Sequence, residues 1–201
     1  MQKIVIATKN QGKLREIQKA LQGLAETVSL AAWADLPEPR EDGATFAENA
    51  VIKAKYYREK LNLPCLADDS GLEVAALDGA PGVHSARFAG YHGSDAANNV
   101  KLLEELTRVG KDESAASYRS VLAFAPPEGE VILTEGICRG IIKKSPRGSG
   151  GFGYDPYFYL PSGKTMAELT LEEKEAVSHR GEAMRAMQTK LKDFFRQGGA
   201  V

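Results

Sequence analysis

The sequence is poor in the residues that build disulfide frameworks and membrane spans. Its 201 residues include two cysteines, Cys65 and Cys138, and no Cys-x-x-Cys spacing. A disulfide scaffold and a thiolate zinc site are therefore excluded, and a reducing cytoplasm is the expected location. No apolar run has the length that a bilayer span needs, and the apolar segment at 4–7 is too short for a signal peptide.

Neither sign of charge is in clear excess, since 26 Lys and Arg residues stand against 27 Asp and Glu residues. This balance argues against wholesale electrostatic binding of nucleic acid or of an anionic membrane. The chain also lacks internal repeats, low-complexity tracts and an obvious linker. We therefore expect residues 1–201 to form a single domain, either one body or two closely joined lobes.

The spacing of apolar residues predicts that strands and helices alternate along the chain. Residues 45–48 match the capping-box pattern, so a helix should begin at Thr45 and end near Leu61. Two β-rich segments separated by Pro126-Pro127-Glu128-Gly129 are typical of a hairpin, and one hairpin among alternating elements indicates an α/β protein with a mixed sheet. The predicted strands cover 3–7, 65–67, 72–75, 117–125 and 130–142, the helices 13–22, 45–61, 94–106 (with Val100, Leu103 and Leu106 inward) and 178–195, and an irregular loop 78–93.

The most informative stretch is Ala67-Asp68-Asp69-Ser70-Gly71-Leu72, where two adjacent carboxylates lie between apolar segments. Moving carboxylates toward a core is costly unless a cation or several hydrogen-bond donors compensate them, and a divalent metal ion is the commonest compensation. A polar turn between two strands is the alternative, because Asp-Ser-Gly is ordinary turn chemistry. This stretch alone leaves both interpretations open.

The first strand leads into a helix through Thr8-Lys9-Asn10-Gln11-Gly12-Lys13. Amide groups at a helix start attract anions, and Lys13 adds a full positive charge, so the turn could cradle a phosphate. It does not match a Walker A loop. A purely structural alternative has Thr8 and Asn10 capping the helix and Lys13 in solvent.

A second candidate segment is the glycine-rich stretch 148–153, followed by Tyr154-Asp155-Pro156. Its glycines allow the backbone to approach a ligand closely, and Phe152 could stack on a nucleobase. Alternatively, Phe152 and Tyr154 tuck into the core. His179 and Arg180 follow at the predicted start of the last helix, where a structural role would more usually call for acids. Alternatively, the two residues are an ordinary exposed pair on the surface.

Taken together, six ordered motifs resemble the Ham1-like family of inosine and xanthosine triphosphate pyrophosphatases, over residues 4 to about 190. The motifs are Thr8-x-Asn10-x-x-Lys13, Thr45-Phe46-x-Glu48-Asn49-Ala50, Ala67-Asp68-Asp69-Ser70-Gly71-Leu72, Pro81-Gly82-x-x-Ser85-Ala86-Arg87, Gly150-Gly151-Phe152-Gly153-Tyr154-Asp155-Pro156 and Ser178-His179-Arg180-Gly181.

The resemblance implies hydrolysis of ITP, dITP or XTP between the α and β phosphates, which yields the monophosphate and pyrophosphate. It also implies an elongated two-lobed α/β architecture, with a central mixed, twisted β-sheet flanked by helices and a substrate cleft between the lobes. A homodimer and Mg²⁺ are expected, and neither nucleic acid nor a membrane is expected as a partner.

By the same resemblance, Asp69 and Glu41 bind Mg²⁺, and Asp69 orients or deprotonates the attacking water. Adjacent strand residues point to opposite faces, so Asp68 shares this site only if the backbone bends. Glu48 is a further candidate acid, although its capping-box position offers a structural explanation. The predicted catalytic residues are Asp69, Lys13 and Asp68, and the predicted substrate-binding residues are Thr8, Lys9, Asn10, Gln11, Gly12, Lys13, Ser70, Phe152, Gly153, Tyr154, Asp155, Lys174, His179 and Arg180.

By the same resemblance, base choice is expected to come from Phe152, which stacks on the base, and from the edge-lining residues Asp155, Lys174, His179 and Arg180. Two other functions remain as alternatives: a nucleotide-binding regulatory module without turnover, and a metal-dependent phosphomonoesterase. The second fits poorly, because its Asp-x-Asp pattern differs from Asp68-Asp69-Ser70.

Overall fold

The protein, as a computed structural model describing residues 2–90 and 94–197, contains a six-stranded sheet and five α-helices among these residues. The strands are β1 Lys3–Ile6, β2 Glu26–Ser29, β3 Cys65–Val74, β4 Glu113–Ala125, β5 Ile132–Lys143 and β6 Phe158–Tyr159, in the sheet order β2-β1-β3-β4-β5-β6. The helices are α1 Gln11–Ala20, α2 Phe46–Leu61, α3 Asp95–Arg108, α4 Leu171–Val177 and α5 His179–Arg196.

The pairing of the strands makes the sheet a mixed one. Strand β1 is parallel to β2 and β3, whereas β5 is antiparallel to β6. Strands β4 and β5 are neighbours joined by the short segment 126–131, which is too short for a parallel crossover. The predicted α/β class, mixed sheet and hairpin are therefore confirmed.

The described chain divides into two compact units. Unit 1 contains residues 2–69, 120–136 and 180–197, and unit 2 contains 70–90, 94–119 and 137–179. Each unit has its own apolar core. The elongated shape, the single domain and the cleft between lobes remain predictions.

In unit 1 the core forms where apolar faces of the helices cover the strands. Helix α1 buries Leu14 and Ile17, and α5 buries Met184, Met187 and Leu191, all in the cluster that contains Ile4 and Ile6 of β1. The spacing of three or four residues places these side chains on one helix face. This packing brings the first turns of α1 and α5 close to the strands, so that Lys13 and Arg180 reach Asp68 on β3.

Helix α2 begins and ends where the sequence predicts. Thr45 Oγ1 accepts a hydrogen bond from the Glu48 amide at 3.2 Å, and Glu48 Oε2 accepts from the Thr45 amide at 3.1 Å. Asn62, with φ of 50°, ends the helix in the left-handed conformation. The Glu48 carboxylate therefore has the structural role that its capping-box position suggested.

In unit 2 the orientation of α3 differs from the prediction. Leu102 and Leu106 are fully buried, but Val100 is 55% exposed, so its predicted inward position is wrong. Each helical residue rotates the chain by about 100°, which places Val100 and Leu102 on roughly opposite sides of α3. The inward face is instead the row formed by Asn98, Leu102 and Leu106.

Strand β3 corrects the prediction around the acidic pair. The predicted strands at 65–67 and 72–75 are one continuous strand, and Asp68 and Asp69 lie inside it. The polar-turn alternative is therefore wrong, because the strand continues through both residues. Within the strand, Lys13 contacts Asp68 and Lys53 contacts Asp69, which offsets the cost of burying the two carboxylates.

Several short elements were not predicted. The part of the 78–93 loop that is described includes a 3₁₀ helix at Gly82–Arg87, while 91–93 lie outside the described residues. Strand β2 and helix α4 were also missed. In the parts of the chain that the structure describes, no helix is long and apolar enough to cross a membrane.

Candidate active site

Asp68 is the centre of a buried ion cluster in unit 1. Its Oδ2 atom contacts Lys13 Nζ at 2.8 Å and Arg180 Nη2 at 3.3 Å, and Ser120 Oγ donates a hydrogen bond to Oδ1 at 2.6 Å. Burial alone raises the pKa of Asp68, but the charges of Arg180 and Lys13, with the hydrogen bonds, hold it well below its usual range. Asp68 is therefore a carboxylate at neutral pH.

Arg180 extends this cluster to a second acid. Its Nη1 atom donates to Glu16 Oε2 at 2.5 Å, while Nη2 donates to Asp68. The guanidinium is only 2% exposed, and the two carboxylates offset the cost of burying it and raise its pKa. Arg180 thus links α1, β3 and α5 within unit 1.

Asp69 belongs to a different set of contacts. Lys53 Nζ, from α2, lies 3.3 Å from Asp69 Oδ1 and 2.9 Å from Glu41 Oε2. Burial raises the pKa of Asp69, the charges of Lys53 and Lys13 oppose that rise, and Glu41 and Asp68 add to it. Asp69 is therefore a stronger base than an exposed aspartate.

The strand geometry explains why two adjacent acids have different partners. Successive side chains on β3 point to opposite faces, so Asp68 meets α1 and α5 while Asp69 meets α2. The side chains have separate sets of contacts, and the strand assignment continues unbroken through both. A site shared by the two carboxylates stays a prediction.

The pair formed by Glu41 and Asp69 suits Mg²⁺. Lys53 lies between the two carboxylates. Asp69 Oδ2 is buried and has no hydrogen-bond partner in the part of the chain that the structure describes. Such an atom is costly unless a cation or donor satisfies it. Within residues 2–90 and 94–197, no group of three or more His, Cys, Asp or Glu side chains could hold a metal. Two carboxylates with retained waters match the preference of Mg²⁺.

The turn before α1 combines capping with possible anion binding. Asn10 Oδ1 accepts a hydrogen bond from the Lys13 amide at 3.0 Å, and Thr8 Oγ1 accepts from the Asn10 amide at 3.1 Å. Lys13 is not the solvated residue of the structural alternative, since its ammonium contacts Asp68. Of the other predicted residues, Lys9 pairs with Glu38 at 3.1 Å, Gln11 is exposed, Gly12 is buried and Ser70 is half-buried in β3.

Asp155 is the centre of the candidate base site in unit 2. Its carboxylate accepts hydrogen bonds from Lys174 Nζ at 2.6 Å, from the Phe152 amide at 2.9 Å and from Tyr118 Oη at 3.2 Å. Lys174 Nζ also lies 4.5 Å from the centroid of the Phe152 ring. The His179 ring stacks on Tyr118 at 4.7 Å, with 14° between the planes. The structure thus brings four of the predicted base-site residues together: Phe152 and Lys174 contact Asp155, and Tyr118 contacts both Asp155 and His179.

The glycine-rich segment has its conformation for a steric reason. Gly151 has φ of 73°, and a Cβ atom there would lie 2.1 Å from Asp155 Oδ2. Any larger residue would push the carboxylate away from the Phe152 amide. Tyr154 turns inward, and its Oη donates to the Ser85 carbonyl at 2.7 Å, as the core-packing alternative anticipated for this ring.

Arg180 departs from the grouping that the sequence suggested. We predicted it at the base edge with Lys174 and His179, but its hydrogen bonds go to Glu16 and Asp68 in unit 1. His179 and Arg180 are consecutive residues of α5, so their side chains diverge by about 100°. A direct role of Arg180 at the base edge stays a prediction.

Comparison with known proteins now decides the family. The family model described as the Ham1 family matches residues 4–190. The chain belongs to the Ham1 family. A dITP/XTP pyrophosphatase of Geobacter sulfurreducens is 52% identical over 193 residues, covering 95% of this chain and 97% of that protein.

Other Ham1-family comparisons cover the chain equally well. A dITP/XTP pyrophosphatase of Thermus thermophilus is 50% identical over 192 residues, covering 95% of this chain and 92% of that protein. The solved structure of a HAM1 protein from Coxiella burnetii has a TM-score of 0.85 and 42% identity, and the match covers 96% of this chain and all of that one.

Four residues of this Ham1 protein's candidate site were missed by sequence reasoning: Glu16, Lys53, Tyr118 and Ser120. Lys53 carries a usable signal, because it falls in the buried row of α2 that includes Phe46, Ala50 and Tyr57. A lysine in an apolar row needs a buried partner. The others had no such signal, since isolated polar residues are common on strands and helices.

Proposed function

We propose that this Ham1 protein hydrolyses ITP, dITP and XTP between the α and β phosphates and releases pyrophosphate. Hydrolysis of such nucleotides cleanses the nucleotide pool. The observation that carries the proposal is the pair of charge clusters on β3, which places Lys13 on Asp68 and brings Glu41 and Lys53 to Asp69. Relatives named dITP/XTP pyrophosphatases, about half identical over most of the chain, support it.

Lys13 is the proposed phosphate ligand. Its ammonium has three donors, so it can keep Asp68 and still donate to a phosphate oxygen. The first-turn amides of α1 add partial positive charge next to it. Because phosphoanhydride hydrolysis is accelerated mainly by neutralising charge and aligning water, a held lysine at this position contributes directly.

Asp69 is the proposed general base. Burial raises its pKa in the metal-free protein, and its carboxylate has two oxygens, so one can accept a proton from an attacking water while the other binds a cation. Glu41 and Asp69 would hold Mg²⁺, which, when bound, neutralises charge on phosphate oxygens. Lys53 keeps the two carboxylates close together in the protein itself.

The cluster in unit 2 is the proposed base reader. Phe152 is half-buried and offers an aromatic face, while Lys174 is held by Asp155 and His179 by its stack on Tyr118. Hypoxanthine and xanthine present an oxygen at position 6, which donors such as Lys174 recognise and which adenine lacks. Guanine shares that oxygen but carries a 2-amino group, which hypoxanthine lacks and xanthine replaces with an oxygen, so donors around position 2 are needed to reject it. A site built on such bonds can reject a mismatched base by about 10⁴–10⁵-fold.

We also propose a homodimer in a reducing cytoplasm. The two cysteines, Cys65 and Cys138, are buried and form no disulfide, which agrees with a compartment that keeps thiols reduced. Light scattering should give a mass twice that of the chain, and a mass equal to one chain would contradict the dimer.

One assay tests the activity and separates it from its alternatives. The protein is incubated with ITP and Mg²⁺, and the products are identified by ion-exchange chromatography. Pyrophosphate with IMP is expected. Free phosphate would instead indicate a phosphomonoesterase, and unchanged ITP that still binds would indicate a regulatory module. Omitting Mg²⁺ should abolish turnover, and full activity in a chelator would contradict the metal requirement.

A further inference from the structure

One face of α3 binds the backbone of the glycine-rich stretch 148–153, which we call the base-reading loop. It binds both the N–H group and the carbonyl of one residue, Gly153. Asp95 Oδ2 accepts a hydrogen bond from the Gly153 amide at 2.6 Å, and Asn99 Nδ2 donates to the Gly153 carbonyl at 3.0 Å. Asp95 and Asn99 are four residues apart, so they project from the same side of the helix. We call this pair the α3 latch. It lies wholly in unit 2.

The residue that the latch holds occupies a sensitive position in the loop. Gly153 follows Phe152 and has φ of 63°. The amide it offers to Asp95 belongs to the peptide that carries Phe152, whose own amide is bound by Asp155. Asp95 and Asp155 therefore fix the two peptide planes that flank the Phe152 side chain, and Asn99 fixes the next plane through the Gly153 carbonyl. A shift of either plane would reorient the ring.

The chemistry of the latch is directional. Asn99 Oδ1 is buried and has no hydrogen-bond partner among the described residues, and a flipped amide would set that oxygen against the Gly153 carbonyl. Only the donor end of the side chain is useful in this position. At Asp95 an acceptor is required, because its partner is an N–H group. Asp95 also lies in the first turn of α3, where an acid is favourable for the helix itself.

We propose that Asp95 and Asn99 are positioning residues that set base discrimination by fixing the orientation of Phe152. The inference rests on the proposed function, and it adds specificity residues on α3, outside the six sequence motifs. The latch contacts the loop backbone and leaves the base to Phe152, Lys174 and His179. Its loss therefore changes which base is preferred more than how fast a bound phosphate is cleaved.

The test compares kcat/KM for ITP and GTP in Asn99→Ala, Asn99→Asp and Asp95→Ala. The ITP-to-GTP ratio should fall by about 10-fold in each, since a misplacement of about 1 Å can cost up to about 10²-fold. Asn99→Asp should have the largest effect, because it sets a carboxylate against the Gly153 carbonyl. The ratio cancels the concentration of active enzyme, so a variant that is merely less stable leaves it unchanged.

Two controls and a second measurement complete the design. Asp95→Asn keeps an acceptor for the Gly153 amide while removing the charge, so its ITP-to-GTP ratio should stay close to that of the wild type, unlike that of Asp95→Ala. Lys101→Ala breaks a 2.7 Å pair with Glu105 on the same helix without touching the loop, and should leave the ratio unaltered. Hydrogen exchange at the Gly153 amide should speed up in Asp95→Ala, which removes the acceptor of that amide, and not in Lys101→Ala.

The outcomes separate the latch from the proposed function. Wild-type protein that releases no pyrophosphate from ITP refutes the proposed function, and the specificity role with it. A wild-type enzyme that prefers ITP, combined with an unchanged ratio in Asn99→Asp, refutes the latch alone. Faster exchange at Gly153 with an unchanged ratio also overturns the proposal, since the loop would then be loosened without consequence for the base.

Discussion

Replacing Asp68 by asparagine should strongly destabilise unit 1. The substitution keeps the size of the side chain but removes the negative charge that Lys13 contacts at 2.8 Å and Arg180 at 3.3 Å. Breaking a buried ion pair by neutralising one partner costs about 3–5 kcal/mol, because the other charge stays buried. Since 1 kcal/mol lowers Tm by about 2–4 °C in a chain of this length, we expect a decrease of about 6–20 °C.

The pH dependence gives this prediction its sharpest form. Asp68 has a folded pKa well below its usual range, so its stabilising contribution is complete above the unfolded value and is lost as the pH falls through the folded value. The Tm difference between wild type and Asp68→Asn should therefore be constant from about pH 5 to 8 and shrink below about pH 4, given an unfolded aspartate pKa of about 3.9.

Thermal unfolding followed by circular dichroism measures both effects. Asp42→Asn is the matched control, because Asp42 is exposed and its pair with Arg40 lies in solvent, where such pairs contribute about 0–1 kcal/mol. Equal Tm values for wild type and Asp68→Asn at pH 7 would refute the reasoning. A difference that grew toward acid pH would contradict the assigned direction of the pKa shift.

Three catalytic predictions accompany it, all measured by pyrophosphate release. Asp69→Asn should lower kcat by at least about 10²-fold with comparable substrate affinity, the low end for a positioned general base; near-normal turnover at saturating Mg²⁺ would remove Asp69 from that role. Lys13→Ala should depress kcat/KM for ITP and GTP by similar factors, because a phosphate contact is blind to the base; a loss confined to one base argues against it. Arg180→Ala should also lower both values together, since Arg180 is bonded to Asp68 and Glu16; a smaller ITP-to-GTP ratio would return Arg180 to the base edge.

Local patterns in the sequence were enough for much of the fold. The capping box at Thr45, with Asn62 at the other end, located α2 because both signals act within one helical turn. The turn residues Pro126-Pro127-Glu128-Gly129 between two β-rich segments identified the hairpin for the same reason. Strand β2 and helix α4 are short, at four and seven residues, and gave too few repeats for a periodic pattern.

Residues of the candidate site could be predicted from the sequence only where they belong to a family motif. The motifs named Asp68, Asp69 and Lys13, and the structure brings Lys13 to Asp68. The motifs could not say that Lys53 lies between Glu41 and Asp69, because these three residues come from separate parts of the chain. Nor could they place Tyr118, which approaches Asp155 across 37 positions of sequence.

The sequence by itself determined most of the long elements, their order and the family, because capping, periodicity and motif spacing are properties of neighbouring residues. Only the tertiary structure decided which charges meet. The alternation of β3 sends Asp68 toward Arg180 and Asp69 toward Lys53, and the turn of α5 separates Arg180 from His179. These partners decide whether each group stays charged, since burial and a nearby opposite charge shift a pKa in opposite directions for a carboxylate.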